Sequence, residues 1–382
     1  MDVLFMAIAG TVALLMVGLS GRGRVRVRLG WTLEFPPRPF TVDMVPGHVV
    51  LLGRTGSGKS NTAKVLAASV GGRVPVLVLD WAGEYDLPGF SRLRPGRDFS
   101  LNPLEVGRGD LEEHIDFIVD LFGDTLGFTE PQRYMFRNSL REAYARGEPT
   151  LADVLSALDR IPLRSYYDHE TKVAIRRRLS HLVEGLAGEA LSSSTITPDN
   201  LFRGRYVVDL SVFRSVHAKK LYTLLLLKML YDHAVRRGIT TRLMHVTVIE
   251  EAWNVIPYRR LDSEPSIGER LFAELRKYGE CIVAVAQNPY DIAWSVLKNA
   301  RMLVVHCIPG RDAEMLGVPR EAASLRTGEA YVMVGGKVSR VRVRRYGGCA
   351  LTYPEWPELD EDLLRCIGML EEDLTRMERR EG

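Results

Sequence analysis

The octet Gly53-Arg-Thr-Gly-Ser-Gly-Lys-Ser60 decides the fold. It fits G-x-x-x-x-G-K-[ST], in which glycines let backbone N–H groups wrap phosphate oxygens, the lysine reaches the β- and γ-phosphates, and the last hydroxyl ligates Mg²⁺. Its flanks agree: the apolar run His48–Leu52 reads as a buried strand, and the segment from about Lys59 to Val70 reads as a helix. A glycine-rich loop between strand and helix forms an anion site at the helix N-terminus. Gly53, Thr55, Gly56, Ser57, Gly58, Lys59, Ser60 and Asn61 are therefore the candidate nucleotide-binding residues, Ser60 doubling as a metal ligand. ATP and Mg²⁺ are the expected cofactors.

Outward from the loop the pattern is α/β. Val74–Leu79 reads as a second buried strand ending at Asp80. Residues 110–190 carry periodic apolar positions (Ile115, Ile118, Val119, Phe122) among strings of charge, and predict three or four helices without strands. Strands return at 206–210, 245–249, 281–286 and 301–305, with an antiparallel pair at 329–334 and 338–343. Apolar runs separated by helices predict a mainly parallel sheet covered on both faces. Residues 46–106 and 201–350 then form the core, and residues 107–200 an all-helical insertion. Residues 22–45 are a short linker, in which the alternating run RVRVRLGWTLEF makes a strand and Pro36, Pro37 and Pro39 end it. Residues 351–382 read as an amphipathic C-terminal helix.

Val3–Leu19 is uncharged for 17 residues, at the short end of what crosses a bilayer. A signal peptide wants basic residues before its apolar stretch, and only Met1 and Asp2 precede this one. Arg22, Arg24, Arg26 and Arg28 follow it, so the positive-inside rule places the bulk of the chain in the cytoplasm. Residues 1–21 are thus expected to be a single-pass anchor in the cell membrane. Those four arginines and Asp2 account for the whole net charge of +3. The remainder is neutral, which excludes a globally basic nucleic-acid face but not a locally basic pore. Cys281, Cys307, Cys349 and Cys366 lack C-x-x-C spacing, so zinc is not expected. Glutamine occurs only at Gln132 and Gln287, a scarcity that points to a thermophilic source.

Further candidates end predicted strands. Val246-Thr-Val-Ile-Glu250-Glu251 is an apolar run closed by two acids: Glu250 for the Mg²⁺ shell, Glu251 to polarise the attacking water. Asp80, as a metal ligand, and Glu84, as a catalytic acid, follow the second strand in Asp-Trp-Ala-Gly-Glu-Tyr, where ordering the loop is the competing role. Gln287 can sense the γ-phosphate, or be an ordinary turn amide. Arg276 can reach a neighbour's nucleotide, or merely face a helix C-terminus. Arg259 and Arg260 are either DNA contacts or solvated loop charges.

Taken in order, Thr-Gly-Ser-Gly-Lys-Ser-Asn61-Thr62, Asp-x-x-Gly-Glu-Tyr, Val-Val-Asp209-Leu-Ser, Ile-Glu-Glu-Ala252-Trp-Asn, and Arg-Lys-Tyr-Gly before Gln-Asn-Pro resemble the HerA/FtsK branch of P-loop ATPases. Conjugation-type secretion ATPases are close cousins. The resemblance spans about residues 46–345. It implies a RecA-like fold and a homo-hexameric ring that drives DNA, or sometimes another polymer, through its centre. It assigns Lys59 and Ser60 to phosphate and metal, Glu250 and Glu251 to the acidic pair, Gln287 to the sensor and Arg276 to a trans-acting finger. HerA carries an N-terminal β-barrel that residues 22–45 cannot hold, and HerA is soluble. Those departures favour a membrane-seated DNA pump, similar to archaeal DNA-import ATPases of the CedB kind, working with a membrane channel protein. A protein-secretion or pilus-assembly ATPase and a HerA-like repair translocase are the alternatives.

Overall fold

The glycine-rich loop rises from the middle of one eleven-stranded sheet. The computed structural model describes residues 23–107, 109–260 and 264–347. In chain order these form β1 (Val25–Thr32), β2 (Pro39–Met44), β3 (Val49–Leu52), α1 (Lys59–Gly71), β4 (Val76–Asp80) and β5 (Ser91–Leu93). A helical run follows: α2 (Leu111–Leu126), α3 (Glu130–Tyr144), α4 (Leu151–Arg160), α5 (Tyr166–Val183), α6 (Gly185–Leu191) and α7 (Pro198–Phe202). The chain then returns to the sheet through β6 (Arg205–Asp209), α8 (Val216–Arg237), β7 (His245–Ile249) and α9 (Ile267–Leu275). It finishes with β8 (Glu280–Ala286), α10 (Trp294–Asn299), β9 (Met302–Val305), α11 (Gly310–Met315), β10 (Glu329–Val334) and β11 (Lys337–Val343). The expected membrane span Val3–Leu19, the expected helix in 351–382, Cys349 and Cys366 lie outside the described residues. No helix among the described residues is long and apolar enough to cross a membrane.

The strand order is β2-β1-β11-β10-β9-β3-β8-β7-β4-β6-β5. Every neighbouring pair from β9 to β5 is parallel, and every pair from β9 to β2 is antiparallel. The parallel strands are buried on both faces, which is why they read as unbroken apolar runs. Residues alternate between two cores at period 2. Val49 and Leu51 of β3 pack with Val65, Leu66 and Val70 of α1. Val50 and Leu52 join the opposite core, with α8, α9 and the helical run. In β1, Val25, Val27 and Leu29 are buried, while Arg26 and the preceding Arg24 stay outside and pair with Asp43 of β2. The alternating run thus pairs with β11 and carries β2 at the edge of the sheet.

Five helices occupy 110–191 rather than three or four. Glu184 is extended and Gly185 has φ 56°, which splits α5 from α6 where apolar periodicity alone runs on. Polar caps fix several of the starts: Asp110 accepts from the N–H groups of Glu112 and Glu113, and Thr129/Gln132 and Thr150/Asp153 form capping boxes. β5 was not foreseen, since three residues carry no readable period.

Two buried histidines give the fold a pH dependence. His48, at the start of β3, accepts the Ile282 N–H through Nδ1 at 3.3 Å, a bond only the neutral ring can accept. Burial pushes His48 and His306 down to about 4. Between pH 6.5 and 4 the unfolded chain therefore binds protons that the folded chain refuses, and stability falls as pH drops through that window. Each histidine contributes on the order of 3 kcal/mol to the loss. His48→Asn, whose side-chain oxygen can replace Nδ1, should flatten the acid limb of a denaturant-midpoint profile. Limbs of equal slope in both proteins would show that His48 is not the group responsible.

Candidate active site

The carboxyl ends of the parallel strands share one edge, and there the chain lines up Gly53 after β3, Asp80 on β4, Asp209 on β6, Glu250 after β7, Gln287 after β8 and His306 after β9. In open α/β sheets this is the edge where ligands bind. Gly53 and Gly58 are required by space as well as by conformation. A Cβ on Gly53 would stand 2.6 Å from Ser57 Oγ and 2.7 Å from His306 Cβ, and Gly58 (φ 111°) caps α1 with the backbone N of Gly328 3.0 Å from where its Cβ would be. Thr55 and Gly56 form the exposed tip of the loop. Lys59 Nζ donates to the carbonyls of Gly53 (2.6 Å) and Arg54 (3.0 Å), lying back along the loop it serves.

Neighbouring segments brace this cradle. The Gly328 N–H donates to Ser57 O at 3.0 Å, and the Thr327 hydroxyl donates to Gly56 O at 3.2 Å. His306 bonds Glu329 O through Nδ1 (2.8 Å), so that nitrogen carries the proton and Nε2 accepts from Thr62 Oγ1 on α1 at 2.9 Å. Asn61 is spent on the other side of α1, its amide bonding Arg344 O and the Tyr346 N–H. Any part it plays toward a nucleotide is therefore through its backbone. Ser57 Oγ is buried without a hydrogen-bond partner among the described residues, an orphaned donor inside the cradle.

Glu250 and Glu251 follow β7 beside this loop. Burial lowers the Lys59 ammonium below the ordinary lysine value, while the charges of Glu250 and Glu251 pull it back, so all three share one electrostatic site. Burial raises the Glu250 carboxyl, and Glu251 and Asp80 add to the rise; Tyr85 and Lys59 oppose it. Glu251 has φ 49°, the one non-glycine residue in the left-handed region among the described residues. Such strain gathers at functional sites because it aims a side chain that a relaxed turn would not. Trp253 Nε1 donates to Glu251 Oε2 at 2.6 Å and fixes that aim. The Ser60 hydroxyl and the two carboxylates are hard oxygen donors, the kind Mg²⁺ takes. Among the described residues no three His, Cys, Asp or Glu side chains gather to hold an ion alone. That fits Mg²⁺ held between one or two protein oxygens and the phosphates of its nucleotide.

The contacts of Asp80 are those of the loop-ordering role that competes with metal binding. Asp80 is fully buried, and its two oxygens accept the N–H groups of Ala82, Gly83, Glu84 and Tyr85 at 2.8–3.2 Å. A carboxylate so occupied shapes the 81–85 turn and has little left for an ion. Glu84 stands exposed on that turn. Tyr85, which motif reading passed over, is buried and donates its hydroxyl to Glu250 Oε1. His306 was also missed, although it ends a strand at the same edge as Gln287 and was open to the same reading.

Gln287 is half-buried beside the loop, its carbonyl accepting the Gly53 N–H at 3.2 Å. Its side-chain amide has no partner among the described residues. Arg276 is at the other end of the same strand: it follows α9 and precedes β8, exposed and without an ion pair among the described residues. The seven residues of β8 put it roughly 23 Å from its own phosphate loop, at about 3.3 Å per residue. Arg259, a candidate DNA contact, is engaged within its own chain. Its guanidinium bonds the buried Glu269 carboxylate at 2.8 and 3.3 Å, and Glu269 also accepts from Ser295, so Arg259 belongs to the packing of α9 and α10. Arg260 stays exposed.

The fold is similar to that of VirB4 of Thermoanaerobacter pseudethanolicus, with a TM-score of 0.66 and 17% identity over 84% of this chain and 96% of that one. It is similar also to the bacterial conjugative coupling protein TrwBdeltaN70, with a TM-score of 0.60 and 13% identity over 79% of this chain and 86% of that one. TrwB in complex with ADP and Mg²⁺ matches at 0.55 and 14%, over 81% and 88%. Among curated proteins none matches. Residues 29–230, more than half of the chain, match the family described as "Helicase HerA, central domain". This chain is a member of that family, a HerA/FtsK-type P-loop protein.

Proposed function

We propose that the chain is an ATP-driven DNA translocase that works as a homo-hexameric ring, anchored by Val3–Leu19 to the cytoplasmic face of the cell membrane and passing DNA into a membrane channel. The observation that carries the ring is the placing of Arg276. It lies a strand's length from its own phosphate loop, exposed and without an ion pair among the described residues, which supports a role at a neighbouring subunit's nucleotide. Family membership supports nucleotide hydrolysis, and TrwB binds ADP and Mg²⁺.

In this reading the loop N–H groups, Lys59 and Ser57 bind the phosphates. Ser60 and Glu250 would hold Mg²⁺, which when bound would supply positive charge against the phosphates. Glu251 orients the attacking water and draws off its proton, Gln287 senses the γ-phosphate, and Arg276 of the neighbour stabilises the transferred charge. Glu84 lies on the same edge as an accessory acid.

The test is the ATPase rate with duplex and single-stranded DNA. The body is neutral, so one subunit offers DNA little, but six copies of Arg260 around a pore supply about six phosphate contacts. DNA should raise the rate, the effect should fall steeply between 50 and 200 mM salt, by about 10³-fold in affinity, and Arg260→Ala should lower the stimulated rate several-fold. A formed ring whose ATPase ignores both DNAs at low salt points instead to protein secretion or pilus assembly.

A further inference from the structure

The acid that ends β7 does not stand alone. Glu250 Oε1 accepts the Tyr85 hydroxyl, while Oε2 has no hydrogen-bond partner among the described residues. Tyr85 is itself held at four points. Its N–H donates to Asp80 Oδ2 at 2.9 Å, and its carbonyl accepts from Arg92 at 2.6 Å. Its ring is 1% exposed, packed in the core that α1 shares with the sheet, and the Lys64 ammonium lies 5.3 Å from the ring centroid. Arg92 in turn pairs with Asp209 at 2.7 Å, and Asp209 Oδ1 is taken by the Ser211 N–H and hydroxyl. A continuous series of bonds therefore runs from the end of β6 through the β4 turn to Glu250. Loop order alone does not call for it. Asp80 shapes the turn through backbone N–H groups, and a phenylalanine would fill the same space without the hydroxyl.

We infer that Tyr85 is a positioning residue for the metal: its hydroxyl takes one oxygen of Glu250 and fixes the carboxylate so that the other oxygen is offered to Mg²⁺. The inference rests on the reading of this edge as an ATP–Mg²⁺ site. Partners that orient a ligating carboxylate typically change metal affinity by 10–100-fold when lost. A residue that only packed the P-loop helix would affect nucleotide binding with or without metal.

The experiment is a fluorescent-ATP titration of the full chain in lipid or detergent, with EDTA and across a Mg²⁺ series. Tyr85→Phe should leave the affinity in EDTA within about twofold of the parent, and should raise the Mg²⁺ concentration that half-restores tight binding about tenfold. In a Glu250→Gln background the same change should add nothing, because the amide replaces the second carboxylate oxygen with a nitrogen that cannot ligate the metal. An unchanged Mg²⁺ requirement, or equal losses with and without metal, overturns the role given to Tyr85. A parent protein whose nucleotide binding ignores Mg²⁺ would instead overturn the reading of the whole edge. A Tyr85→Phe protein with an unaltered EDTA affinity is by that fact folded, so each result decides.

Discussion

Lys59→Ala and Glu251→Gln should both abolish ATP turnover, and a binding assay should tell them apart. Lys59 Nζ lies along the loop carbonyls and shares its electrostatic site with Glu250 and Glu251. With phosphate binding as its proposed role, its loss should weaken nucleotide affinity at least tenfold along with hydrolysis, the loss of one charge-assisted contact. Glu251 is held in the left-handed region and aimed by Trp253. Replacing its carboxylate with an amide keeps shape and the indole bond but removes the proton acceptor. General-base catalysis contributes about 10²–10⁴-fold, so turnover should fall by that factor while ATP binding stays near normal. Near-normal turnover in Glu251→Gln would move the base elsewhere, with Glu84 the next carboxylate to test.

Much of this was legible in the sequence because it is local. The phosphate loop, the double-sided strands and the acids at strand ends are written in consecutive residues, and β3, α1 and β7 fall where their patterns put them. What escaped depends on contacts across the chain. The Tyr85 hydroxyl meets an acid 165 residues away, a distance no window spans. Asp80 has the residue type and place of a metal ligand, yet its turn folds back and supplies four N–H groups first. Arg259 reads as a loop charge beside Arg260. Its partner Glu269, though, looks in sequence like an ordinary acid in the first turn of α9, and only packing shows it buried. The β1–β2 pair reads as a short strand before prolines, and nothing local tells that β11 receives it.

In the proposed ring each site is finished by its neighbour through Arg276. An arginine finger contributes about 10³–10⁵ to phosphoryl transfer, so Arg276→Ala should be as silent as Glu251→Gln when either protein is assayed alone. In that ring the two defects would lie in different halves of one interface. An Arg276→Ala subunit still offers a base, and a Glu251→Gln subunit still offers a finger. In randomly mixed rings an interface works when the first supplies the base and the second the finger, about a quarter of interfaces at a 1:1 ratio for a closed cyclic assembly. The direct measurement is the ATPase rate across a series of mixing ratios, in rings shown by tagged pull-down to contain both subunits. The expected result is a curve that is near zero at both ends and peaks at equal amounts, at roughly a quarter of the parental rate if interfaces act independently. A flat line near zero at every ratio, in rings proven to be mixed, would show that Arg276 does not act across the subunit boundary.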